Sequence, residues 1–110
     1  MSKQGFGATN DDDANGMPAG GWVRGTGLSI DWQNGPLGRG PDRKEPNGAF
    51  VEDVIAAARQ RIAYYQEAAG GRFACRENAC ALTKLDEALH WLDARTQERE
   101  ARGAEGTHAR

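Results

Sequence analysis

Residues 51–102 read VEDVIAAARQRIAYYQEAAGGRFACRENACALTKLDEALHWLDARTQEREAR, and the reading of this stretch decides the fold. Val51, Val54, Ile55, Ala58, Ile62 and Tyr65 recur at helical spacing on one face. Glu52 and Asp53 stand in the first turn, where the helix dipole favours acids, and Gly70-Gly71 stops the run. The spacing predicts a helix over about residues 50–68. Ala81, Leu82, Leu85, Ala88, Leu89 and Leu92 form a second apolar stripe. It predicts a helix over about residues 76–102, ended by Gly103 and Gly106 and followed by a short C-terminal tail. So few residues separate the two helices that they are expected to pack as an antiparallel hairpin.

Upstream the chain changes character. Eleven of its fifteen glycines and all four prolines precede Phe50. Residues 27–33 alternate, so that Leu28, Ile30 and Trp32 share one face of a short strand. Asn34-Gly35-Pro36 is a turn, and Leu37–Arg39 is a second extended piece placed to pair with the first, giving a β segment over residues 27–40. Pro41–Gly48 resists helix and reads as a loop. Residues 1–26, with Asp11-Asp12-Asp13 and Gly20-Gly21, are polar and small in composition and are expected to form a disordered tail. Trp22 is the one residue of that tail expected to dock. The expected fold class is therefore mainly α: a helical hairpin preceded by a short strand and turn.

Length and charge narrow the function classes. A chain of 110 residues holds one small domain. Its 14 basic and 16 acidic residues leave a net charge of −2, which excludes both a bulk-charge nucleic-acid binder and a polyacidic mimic of DNA. Residues 72–110 are balanced as well, with seven basic and seven acidic groups. No apolar run approaches the roughly 18 residues needed to span a bilayer. Met1–Gly27 lacks the apolar core of a secretory signal, so a cytosolic protein is the expectation. The two stripes carry few large apolar side chains for a stable domain, and a chain with so thin a core gains more by self-association. A symmetric oligomer is expected, with Trp32, Phe50, Tyr64 and Trp91 as aromatic surface for subunit contacts or a ligand.

Lys84, Trp91, Arg95, Arg99 and Arg102 form a second stripe on the second helix, at three-, four- and seven-residue spacing. An indole beside several guanidiniums suits an anionic, ring-bearing ligand, because arginine forks grip phosphate and flat faces stack on bases. The same residues also fit a solvated face paired with Glu98 and Glu100. Asn78, in Arg76-Glu77-Asn78, carries the donor and acceptor that read an adenine edge, and equally the group that caps a helix start. His90 stands near no nucleophile motif, and no phosphate loop of the Gly-x-x-x-x-Gly-Lys type is present. Cys75 and Cys80, with His90 and His108, match no zinc spacing. No catalysis, metal or cofactor is expected from these residues.

One long pattern carries a resemblance. Phe73-Ala-Cys-Arg-Glu-Asn78-Ala79, Ala81-Leu-Thr-Lys-Leu85, Glu87-Ala-Leu-His-Trp-Leu92, Arg95-Thr96, Arg99 and Arg102-Gly-Ala-Glu-Gly-Thr-His108 follow one another in order, with Trp32-Gln-Asn-Gly-Pro36 upstream. The sequence resembles the bacteriophage hook-domain family of nucleotide sponges, which includes the Thoeris anti-defence and anti-CBASS proteins. Ala104 stands where the family often has valine. The resemblance covers about residues 28–108, so residues 27–110 are expected to form a hook-type domain. It implies a protein of the infected host's cytoplasm that binds cyclic nucleotide immune messengers without cleaving them. The implied ligands are glycocyclic ADP-ribose and cyclic di- and trinucleotides, and the implied assembly is a hexamer with sites between subunits. By position it places Asn78 against glycocyclic ADP-ribose, together with an aromatic residue that is Tyr64, Tyr65 or Phe73. It places Arg95 and Arg99 on cyclic trinucleotides; Trp91, Arg102, Gly106 and Thr107 join them from the stripe and the tail motif. The competing readings are an enzyme that hydrolyses the same messengers and a helical module that binds only protein.

Overall fold

The computed structural model describes residues 5–110. The chain forms two compact units: Met1–Phe50 together with Arg102–Arg110, and Val51–Ala101.

The first unit is built on a three-stranded antiparallel sheet in the order β1-β2-β3, with β1 at Phe6–Asp12, β2 at Pro18–Gly25 and β3 at Leu28–Asp31. Phe6 faces Gly25 and Thr9 faces Trp22 in the first pair; Trp22 faces Asp31 and Gly25 faces Leu28 in the second. The Asp13 carboxylate builds the first turn by accepting bonds from the Asn15 and Met17 amides at 2.8 and 3.0 Å. Those bonds, chiefly the one from Met17, hold its pKa below the ordinary carboxylate value. Within the sheet only Val23 is buried. The strands therefore rest on backbone pairing and close approach. Gly21 sits at φ 137° directly against the Thr9 carbonyl, where any Cβ would collide. Arg24 ties β2 to β3, donating to the Ile30 carbonyl at 2.7 Å and to the Asp31 carboxylate at 2.5 Å, with its guanidinium 5.6 Å from the Trp22 ring centroid.

Beyond β3, Ala49 donates to the Asp31 carbonyl at 2.7 Å and Gln33 to the Ala49 carbonyl at 3.0 Å, bringing the two ends of the intervening loop together. Asn47 closes that loop, accepting from the Asn34 amide at 2.8 Å and donating from its own amide to Gln33 Oε1 at 2.8 Å. The C-terminal segment joins the same unit. Gly38 donates to the Gly106 carbonyl at 2.7 Å, and Arg43 grips the Glu105 carboxylate with two bonds of 2.7 and 2.8 Å.

Three expectations are corrected here. The fold is mixed α/β rather than mainly α. Residues 6–12 and 18–25 are strands, not disordered chain, and Trp22 lies within β2; residues 1–4 of the expected tail lie outside the described residues. Composition missed the strands because it counts apolar side chains, whereas this sheet is held by amide pairing and by glycines that let backbones touch. Leu37–Arg39 is not a strand: β3 pairs with β2, and Gly38 bonds to the tail instead.

The second unit is the helical hairpin, α1 at Val51–Gly71 and α2 at Arg76–Ala101. The helical path of α1 breaks at Ala68–Gly70, with Ala69 at φ 51° and Gly70 at φ 69°. Val54, Ile55 and Ile62 of α1, and Leu82, Leu85, Leu89 and Leu92 of α2, are half-buried. No residue of either helix is fully buried, in keeping with the thin core read from the stripes. Arg59 joins the helices through a two-pronged ion pair with Asp86, the Nη2–Oδ2 bond measuring 3.2 Å. That hydrogen bonding pulls the Asp86 pKa down and pushes the Arg59 pKa up.

Two predictions follow from these contacts. Gly21→Ala is expected to destabilise the sheet unit by about 1–3 kcal/mol, the scale of a strained backbone position, read as a lower midpoint in chemical denaturation. Because the Asp86 pKa is depressed in the folded chain, the pair's contribution is full above the ordinary carboxylate range and disappears as the pH falls through the depressed value. Wild-type melting temperature should therefore fall below roughly pH 4 more steeply than that of Asp86→Asn. Parallel curves would remove the pair from the acid response.

Candidate functional site

The hairpin carries a cleft of about 390 Å³, lined by Arg61, Tyr64, Tyr65, Ala68, Phe73 and Asn78. Helical spacing of three and four residues puts Arg61, Tyr64 and Tyr65 on one stretch of the α1 surface. The reversal after Ala68 brings Phe73 and the first turn of α2 beside them. Tyr64 and Tyr65 meet with ring centroids 5.7 Å apart and planes tilted by 56°. The Arg61 guanidinium lies 4.9 Å from each of these two centroids. No carboxylate pairs with Arg61 among the described residues. The Arg72 guanidinium lies 5.7 Å from the Phe73 ring centroid.

Asn78 is not the helix cap. Cys75 precedes the first residue of α2, and its Sγ accepts the Asn78 amide at 3.4 Å. The half-buried Asn78 carboxamide makes no hydrogen bond among the described residues and lines the cleft. Of the two roles open to Asn78, capping is thus taken by the thiol.

The structure gathers Tyr65, Phe73 and Asn78 into one cleft, and of the three aromatic alternatives it includes all. Arg61 was missed, although an arginine three and four residues before a tyrosine pair is legible in the sequence; the apolar stripe had claimed Tyr65 for the core. Arg95 and Arg99 lie elsewhere on α2, one turn apart, Arg95 exposed and Arg99 half-buried. Arg95 is 17 residues beyond Asn78, or about 25 Å along the helix axis. Trp91 is 71% exposed, with the His90 ring edge-on at 5.7 Å. Arg102, Gly106 and Thr107 belong to the sheet unit. There the Arg102 guanidinium donates to the Arg110 carbonyl, the Gly106 carbonyl accepts Gly38, and Thr107 Oγ1 donates to the Ala104 carbonyl at 2.5 Å. Cys75 and Cys80 are exposed free thiols, and no group of three potential metal ligands occurs among the described residues. No helix among the described residues is long and apolar enough to cross a membrane.

Residues 29–97 match the family model described as Acb2/Tad1, hairpin domain. The chain belongs to this family. All six residues lining the cleft fall inside the match, as do Trp91 and Arg95, while Arg99, Arg102, Gly106 and Thr107 lie beyond it. The chain is also 48% identical over 80 residues to Thoeris anti-defense 1 of Bacillus phage SBSphiJ7. That alignment covers 73% of this chain and 51% of the relative, so the chain spans about half the length of the protein it matches.

Because its side chain bonds to nothing in the fold, Asn78→Ala is expected to leave stability within about 0.5 kcal/mol of wild type in chemical denaturation. A loss of 1 kcal/mol or more, the usual cost of removing a cap, would return the residue to a structural role.

Proposed function

We propose that the protein is a phage anti-defence protein acting in the host cytoplasm, where it binds and sequesters nucleotide second messengers of the host immune response without cleaving them. The observation that carries the reading is the convergence of three aromatic rings, an arginine without a carboxylate partner and an unengaged carboxamide in one cleft. Stacking on an aromatic ring contributes about 1–3 kcal/mol per base. The Arg61 fork suits a phosphate group, and the Asn78 amide offers both polarities to a base or ribose edge. The cleft suits a nucleotide such as glycocyclic ADP-ribose, which carries an adenine, two riboses and a diphosphate. Its lining holds no carboxylate, imidazole or thiol to act as base or nucleophile, which supports holding over hydrolysis. Family membership and the anti-defence name of the phage relative support the same reading.

A second site for cyclic trinucleotides is assigned to Arg95 and Arg99, with Trp91 beside them. Guanidiniums repeated by symmetry match a ring of three phosphates. A hexameric assembly would supply that repetition and would cover the hairpin, whose helices bury no residue completely alone. The exposed Trp91 also favours a second reading, a module that binds only protein.

The test is a titration of the purified full chain with glycocyclic ADP-ribose isomers and cyclic di- and trinucleotides, followed by heat denaturation and recovery. Ligand depletion with intact ligand released is the expected result. Recovery of hydrolysed product would establish an enzyme, and flat titrations throughout would leave the protein module. Asn78→Ala is expected to weaken glycocyclic ADP-ribose by about 10-fold, the loss of one or two net hydrogen bonds. The Arg95→Ala, Arg99→Ala double variant is expected to abolish trinucleotide binding and to spare glycocyclic ADP-ribose. Equal loss of both would merge the sites into one. Light scattering is expected to give a multiple of the 11.9 kDa chain mass, and a monomer at micromolar concentration would overturn the assembly.

A further inference from the structure

The cleft has two walls separated by a chain reversal. Arg61, Tyr64, Tyr65 and Ala68 stand on α1, while Phe73 and Asn78 follow the break. The reversal itself is weakly specified. Gly70 and Gly71 sit at φ 69° and 89°, conformations that cost glycine nothing and that it leaves readily. Two turn bonds span the reversal, Arg72 to the Ala69 carbonyl at 3.4 Å and Ala74 to the Gly71 carbonyl at 3.1 Å. The start of α2 is weakly capped too. Its capping atom is a cysteine sulfur, a poor acceptor beside the hydroxyl or carboxylate oxygen usual there.

One side chain bridges this soft region. Gln66, half-buried in the last regular turn of α1, reaches nine residues forward to the backbone of Cys75. Its Oε1 accepts the Cys75 amide at 2.9 Å, and its Nε2 donates to the Cys75 carbonyl at 3.2 Å. A carboxamide meeting one residue's N–H and C=O in this way mimics a strand pair, so both position and rotation of Cys75 are fixed. Asn78 lies three residues further on, and Phe73 two residues earlier. Gln66 is not itself a lining residue.

We propose that Gln66 is the positioning residue of the cleft: its carboxamide clamps the Cys75 backbone and thereby holds Asn78 and Phe73 at the distance from Tyr64, Tyr65 and Arg61 that a ligand requires. The inference rests on the reading of this cleft as the nucleotide site. Leucine at position 66 keeps the bulk and removes both bonds. Glutamate keeps the acceptor for the Cys75 N–H but sets a carboxylate oxygen against the Cys75 carbonyl. Neither change touches a lining side chain. An effect on affinity is therefore an effect on wall placement, and it must act through the residues that the clamp places.

The experiment is a double-mutant cycle on the 110-residue chain, with glycocyclic ADP-ribose as probe and circular dichroism confirming the folded helices in each variant. Amide exchange at Cys75 gives a readout without ligand. Gln66→Leu is expected to weaken the probe by 10-fold or more, with Gln66→Glu intermediate, and to speed exchange at Cys75 by at least 10-fold. In the Asn78→Ala background the further loss from Gln66→Leu is expected to shrink to 3-fold or less, because only Phe73 is then left to be positioned. Full additivity of the two changes would overturn the proposal, as would wild-type affinity in both Gln66 variants or unchanged exchange at Cys75. If the wild-type chain fails to bind the probe at all, the cleft reading falls and takes the ligand role of Gln66 with it. Binding by wild type without coupling to Asn78 sinks the positioning role alone.

Discussion

The turn that reverses the chain between α1 and α2 is the constraint on which the hairpin depends. It needs consecutive residues in the left-handed region, and one of them, Ala69 at φ 51°, is not glycine. Such a residue costs on the order of 1–3 kcal/mol and persists only where its surroundings fix it. The Gln66–Cys75 bonds on one side of the turn and the Arg59–Asp86 pair further along the helices supply that fixing. The facing apolar stripes, half-buried, add to it. The reversal in turn sets Phe73 and Asn78 beside the tyrosine pair, so the cleft exists only because the turn closes in this one way.

The sheet unit solves a similar shortage of apolar side chains by a different route. Its strands are held by amide pairing, by Arg24 bridging β2 and β3, and by glycine contacts that allow main chains to touch. Gly48 shows the requirement plainly, since a Cβ there would stand 2.6 Å from the Trp32 carbonyl carbon. The tail completes the unit by the same means, through the Arg43–Glu105 fork and the Gly38–Gly106 bond. In both units polar geometry supplements a thin apolar core. A chain built this way leaves aromatic surface exposed, as at Tyr64, Phe73 and Trp91, and such surface is available to ligands or to further copies.

Separation along α2 shapes the functional reading. The cleft stands at the start of the helix and the Arg95–Arg99 pair near its end, so one hairpin presents an aromatic slot and a guanidinium pair that a single small ligand cannot span. The family match covers the slot and Arg95, and the relative carries an anti-defence name over about twice this chain's matched length. The two ends of the hairpin thus carry chemically different surfaces, aromatic at one and cationic at the other.

The sequence by itself determined the hairpin. Periodic Val, Ile and Leu positions mark both helices, Gly70-Gly71 marks the reversal, and period and punctuation are local properties that survive without a fold. Through a longer pattern it also pointed to Asn78, with Tyr64, Tyr65 and Phe73 as alternatives for an aromatic neighbour. Tertiary structure alone decided the rest. The strands at Phe6–Asp12 and Pro18–Gly25 were hidden because they read as polar, glycine-rich chain, and their stabilising bonds come from backbone atoms that every residue type shares. Arg61 gained its place only when Tyr64 and Tyr65 were seen to stand against it in an open cleft rather than in a core. Gln66 carries no motif at all. Its partner is the backbone of a residue nine positions away, and a contact to backbone leaves no trace in the identity of the residue contacted.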